Sequence, residues 1–162
     1  MRGSGEEIAA YLIRVADLLE RYGVTLHIAD AEGIDLLEDA QGRLSFQLMG
    51  ALPAAPGMPE AEIAVRERFD PVRPDRFERT EYEYEVLDRE RDNRRAFHLH
   101  HPEWFQRTYL VVVHEHCERP IGHAACDHYE GSPIRDAFAG VLRLIETWTG
   151  PEPECSALRC LA

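Results

Sequence analysis

Apolar residues return every three or four positions from Ile8 through Leu12, Val15 and Leu19 to Tyr22, and this spacing predicts an amphipathic helix. Ser4-Gly5-Glu6-Glu7 has the form of a capping box ahead of it, and Gly23 closes it. The period then shortens to two. Val24, Leu26 and Ile28 alternate with polar positions, and Leu44, Phe46 and Leu48 do so again, which predicts two half-buried strands around an acidic, turn-like segment over 31–39. Ile63, Val65 and Phe69 mark a third strand, which the prolines between Asp70 and Asp75 are expected to end. Tyr82, Tyr84 and Val86 alternate with Glu81, Glu83 and Glu85, as in an antiparallel strand with one face in solvent.

Residues 89–95 read as a charged turn, and 96–100 and 108–117 as two more strands joined by the aromatic loop His101-Pro102-Glu103-Trp104-Phe105. Residues 118–131 read as irregular. Ser132-Pro133 supplies an N-cap and a first-turn proline for a second helix, whose stripe is Ile134, Phe138, Val141, Ile145 and Trp148 and whose end is Gly150. The predicted fold class is α+β: a mainly antiparallel sheet of about five or six strands, with a helix near each end of the chain, both packed on one face. One domain is expected over 1–150, with 50–60 as a candidate internal linker and 151–162 as a mobile C-terminal tail.

Charge narrows the function classes. Thirty acidic residues against eighteen basic ones leave a net charge of −12, which works against broad contact with nucleic acid or an anionic membrane. Every one of the eighteen bases is arginine, as in GC-rich genomes, so a bacterial source is expected. No apolar run is long enough to span a bilayer, and residues 1–7 lack a signal-peptide core, so a soluble cytoplasmic protein with Cys117, Cys126, Cys155 and Cys160 reduced is the expectation. Were the chain exported, a Cys117–Cys126 disulfide would close a short loop.

The candidate chemistry is concentrated in one stretch. Seven of the eight histidines fall between Phe97 and Tyr129. His98/His100, His114/His116 and Cys126/His128 each lie two apart, so in extended chain each pair shares a face. Two such pairs on neighbouring segments supply the borderline ligands that zinc favours. The expected metal set is His114, His116, Cys126 and His128, with Cys117 as a substitute if the strand ends at His116. A small zinc-binding protein is therefore the first expectation, with Glu115 or Glu118 as general base and Tyr129 polarising a substrate if the ion is catalytic.

Histidine pairs also perform acid–base chemistry without a metal. Arg91, Arg94 and Arg95 precede His98 and His100, and arginine binds phosphate. One imidazole would activate an RNA 2′-hydroxyl and the other would protonate the leaving oxygen, with Tyr129 close by. Asp92-Asn93 followed by His98-Leu99-His100, after the Tyr82-Glu83-Tyr84 strand and before a closing amphipathic helix, resembles the TumE-type toxins of bacterial toxin–antitoxin systems over residues 77–148. The resemblance implies a small α+β protein in which Asp92 and Asn93 shape a turn and His98 and His100 are the active positions. The chain departs from it in its N-terminal unit, its acidity and its His114-Glu115-His116-Cys117 run. A third reading is a non-catalytic partner-binding module with Trp104-Phe105 as the anchor. A nucleophilic Cys117 or Cys126 ranks last, since no cysteine-enzyme signature is present.

Overall fold

Ser4 caps the first helix as its sequence predicts: its hydroxyl accepts from the Glu7 amide at 3.2 Å while the Glu7 carboxylate accepts from the Ser4 amide at 2.7 Å. Helix α1 (Gly5–Arg21) buries Ile8, Leu12, Val15 and Leu19, each worth about 1.5–3 kcal/mol on leaving water, and ends at Gly23 with φ +78°. Tyr11 joins this buried stripe, whereas Tyr22, expected on it, is exposed at the C-cap. The computed structural model describes residues 1–27, 36–55, 59–100, 113–118, 121, 124–129, 133–149 and 160–161; at 114, 117, 124–129, 147, 149 and 160–161 it describes the backbone alone.

The strands are β1 (Arg2–Gly3), β2 (Thr25–Leu26), β3 (Leu37–Glu38), β4 (Leu44–Leu52), β5 (Ala61–Arg73), β6 (Arg76–Asp88), β7 (Asn93–Leu99), β8 (Val113–Glu118), β9 (Ala124–Tyr129) and β10 (Cys160–Leu161). They form one ten-stranded antiparallel sheet among the described residues, in the order β10-β9-β8-β7-β6-β5-β4-β2, with β1 on β6 and β3 on β4. From β4 to β9 each strand pairs with the next in sequence. The fold is α+β with a helix near each end, as the periodicity predicts.

Several boundaries differ from the sequence reading. Residues 118–131 are not all irregular: β9 pairs with β8. The prolines do not end β5 at Asp70. Pro71 still pairs with Phe77, past Phe69, where the pairing with β4 has stopped and no neighbour on that side needs a proline N–H. The segment after Gly50 is strand as far as Leu52, which pairs with Ala61, so 53–60 joins two neighbouring strands. The second helix, α2 (Ala137–Thr149), starts later than Ser132-Pro133 suggests. Asp136 caps it, accepting from the Ala139 amide at 3.0 Å, and Ser132 lies outside the described residues. The expected tail begins at 151; residues 151–159 are outside the described part, and Cys160–Leu161 pairs with His128 and Asp127.

Both helices cover one face of the sheet. The core there holds Phe46, Leu48, Ile63, Val65, Phe69, Tyr82, Tyr84, Val86 and Phe97 beneath α1 and the Val141–Leu144–Trp148 side of α2. A polar knot lies inside it. Arg79 donates to Glu67 at 2.7 Å, to Tyr84 Oη at 2.6 Å and to the carbonyls of Ile134 and Arg135; Tyr11 and Tyr84 also donate to Glu67, and Tyr11 Oη accepts from the Ala137 amide. Arg79 reaches this face through a bulge: Arg68 pairs with Glu81 but Phe69 with Arg79, so Thr80 is the extra residue. Burial pushes the Glu67 carboxyl up, and the Arg79 guanidinium opposes that shift. The knot ties α1, β5, β6 and the start of α2 together.

Candidate functional site

The opposite face of the sheet is polar. Its central row runs Gln47–Arg66–Glu83–His98–His114–Tyr129, each residue the register partner of the next across six strands. The adjoining positions on β6 to β8 are Glu81 and Glu85, Arg94, Ala96 and His100, and His116 and Glu118. Alternation along β7 sends Phe97 into the core and leaves His98 and His100 together on the outer face, as their spacing predicts.

His98 Nδ1 lies 3.3 Å from His100 Nε2, within hydrogen-bonding distance when one ring carries the proton between them. The His116 ring, brought over from β8, stands with its centroid 4.8 Å from that of His98. Carboxylates flank the trio: Glu83 Oε1 is 3.6 Å from His98 Nε2 and Glu118 Oε1 is 3.4 Å from His116 Nδ1. Burial, and then the neighbouring His116, hold the His100 imidazole below its ordinary pKa, so its neutral form is favoured. His100 also lines a groove of about 380 Å³ with Ser45, Gln47, Arg66, Arg68, Glu81 and Glu83.

The arginines fall differently from the sequence expectation. Arg94 is held by Glu85 at 2.5 Å, Glu118 at 2.6 Å and Glu83 at 3.7 Å, and Arg91 by Asp88 at 3.6 Å. Arg95 lies on the helix-covered face and is 2% exposed. Arg94 thus shares the Glu83 and Glu118 carboxylates that flank His98 and His116, while the groove lined by His100 presents Arg66 and Arg68 of β5, a placement that depends on a pairing register no local motif records. Glu83, read from the sequence only as part of an acidic face, is the carboxylate nearest His98. The Asp92-Asn93 turn is present. Asp92 takes φ +53° and its carboxylate accepts from the Ile121 amide at 3.0 Å, while Asn93 opens β7.

The register divides the expected metal set. His114 and His116 stand opposite Tyr129 and Asp127, whereas Cys126 and His128 stand opposite Cys117 and Glu115 in the alternate rows. β8 continues through Cys117 to Glu118, so Cys117 does not join the row of His116. The side chains of His114, Cys117, Cys126, His128 and Tyr129 lie outside the described part. Among the described residues no group of three or more His, Cys, Asp and Glu side chains is arranged to hold a metal ion. Glu115 is buried on the helix face and bound by Arg143 at 3.3 Å, away from the histidines; Glu118 is beside them. Trp104 and Phe105 lie outside the described residues. No helix among the described residues is long and apolar enough to cross a membrane. No protein-family model, curated protein or solved structure matches the chain.

Proposed function

We propose that the chain is a metal-independent, RNase-like enzyme whose histidine face cleaves a phosphodiester by general acid–base catalysis. The observation that carries this reading is the contact between the His98 and His100 imidazoles, His100 lining a groove that also presents Arg66 and Arg68. Acid–base cleavage of RNA needs one imidazole free to take a proton and one able to give it. His100 fits the base, because its surroundings favour the neutral ring. His98, whose Nε2 lies 3.6 Å from Glu83 Oε1, is assigned the acid.

Substrate entry replaces the His98–His100 hydrogen bond. His100 then takes the proton of a ribose 2′-hydroxyl, the 2′-oxygen attacks phosphorus, and the 5′-oxygen leaves with a proton from His98. The products are a 2′,3′-cyclic phosphate and a 5′-hydroxyl. Arg66 and Arg68 offer guanidinium donors to the phosphate in competition with Glu83 and Glu81. Tyr129 holds the register position opposite His114 in the His98 row, which keeps it a candidate for the same site. The resemblance of residues 77–148 to TumE-type toxins supports the same two histidines.

The test is cleavage of a labelled single-stranded RNA by the purified chain in excess EDTA. The wild type is expected to cleave it, and His98→Ala and His100→Ala are each expected to lose about 100-fold or more, the usual worth of a general acid or base, with melting temperatures unchanged. RNA that survives the wild-type protein, or variants that cleave as fast as it does, would end the reading.

A further inference from the structure

We infer that the groove beside His100 is a nucleobase subsite that selects adenine, with Gln47 as the residue that contacts the base edge. The inference rests on the acid–base reading for the orientation of the RNA and on the lining of the groove for the choice of base. Two register rows run along the groove, Leu37–Ser45–Arg68–Glu81 and Gln47–Arg66–Glu83. Both pass from neutral groups on β3 and β4 through arginine on β5 to glutamate on β6, and the histidines stand beyond on β7. A nucleotide laid across these strands puts its neutral base at β4 and its phosphate at the charged end. From β4 to β7 is three strand spacings, about 14 Å at about 4.8 Å each, and long side chains from both ends shorten that gap.

The charged groups of the groove are committed to one another: Arg66 lies 3.2 Å from Glu83, and Arg68 donates to Glu81. The neutral ones are not. Alternation on β4 buries Phe46 and turns Ser45 and Gln47 outward together. Ser45 Oγ and Gln47 Oε1 have no hydrogen-bond partner among the described residues, and the Gln47 amide nitrogen donates to the weak acceptor Sδ of Met49. Leu37, the register partner of Ser45, is 62% exposed and offers an apolar surface for a base to lie on. An outward carboxamide matches the adenine edge, with Oε1 accepting from N6 and Nε2 donating to N7. Guanine presents two acceptors on that edge and leaves Oε1 facing one of them; pyrimidines have no N7. His100, the general base on the acid–base reading, is the member of the pair that lines the groove. The groove therefore holds the nucleotide whose 2′-hydroxyl attacks, and cleavage falls on the 3′ side of adenosine.

The experiment uses 2′-O-methyl oligonucleotides that each carry one ribonucleotide, adenosine, guanosine, cytidine or uridine, with the full-length chain in excess EDTA. Cleavage after adenosine is expected to exceed that after each of the others by about tenfold or more in kcat/KM, as one bidentate amide contact supplies. Gln47 is exposed, so its substitution leaves the core intact. Gln47→Leu should erase the preference, and Gln47→Glu, which gives up the amide donor for an acceptor suited to the cytosine amino group, should move it to cytidine. Where the wild type cuts, equal rates after all four nucleotides, a preference for another base, or an adenosine preference that survives in Gln47→Leu would overturn the subsite and leave the acid–base reading standing. Where it cuts nothing, the RNase reading ends, and fluorescence anisotropy with fully 2′-O-methylated homopolymers of the four bases decides the subsite. Tighter binding of the adenosine strand that Gln47→Leu loses would support it, and equal binding of all four would overturn it.

Discussion

At the scale of residues, two histidines separated by one leucine gain their chemistry from the strand that carries them. Pleating buries Phe97 and leaves both imidazoles on the outer face, where they touch. That much is legible in the sequence, because a period of two is a local property. The neighbours are not. Glu83 and His116 reach the pair through cross-strand register, and Arg79 reaches the core only because Thr80 bulges. The desolvated His100 yields a pH prediction. Its folded pKa lies below the ordinary imidazole value near 6.5, so the unfolded chain takes up this proton first as pH falls. Stability from this group is therefore complete above that value and declines from about 6.5 downward through the folded pKa. An NMR titration of the His100 ring is expected to show a midpoint below 6.5, and a midpoint at or above it would remove the argument for His100 as the base.

At the scale of elements, α2 sets how closely the core can pack. A Cβ at Gly140 would fall 2.2 Å from the Tyr84 ring, which itself stacks on Tyr82 at 4.7 Å and is tied into the Glu67–Arg79 knot. Gly140→Ala is accordingly expected to destabilise the chain by about 1–3 kcal/mol, the usual cost of overpacking, which denaturant unfolding would register as an earlier midpoint with an unchanged slope. The helices are legible in the sequence, since the capping box at Ser4 and the apolar stripes are local. The start of α2 is not legible locally, because Ser132-Pro133 has the form of a cap while Asp136 makes the bond. β9 carries no local signal, because Ala124 to Tyr129 has no clean alternation and its pairing comes from β8. Gly140 reads as an ordinary helical glycine until the tyrosine beneath it is known.

At the scale of the molecule, the sheet separates packing from chemistry. One face carries the helices and the core; the other carries histidines and paired ions. The net charge of −12 disfavours broad electrostatic capture of RNA, so recognition on this account is local, at the groove beside His100, and cleavage depends on the ribose 2′-oxygen as the attacking group. The most direct measurement is a paired digestion in excess EDTA, using one RNA oligonucleotide and the same oligonucleotide 2′-O-methylated throughout. The RNA is expected to be cut to fragments ending in 2′,3′-cyclic phosphate and the methylated strand to remain intact; equal cleavage of both would contradict the assignment of the histidine pair to this chemistry.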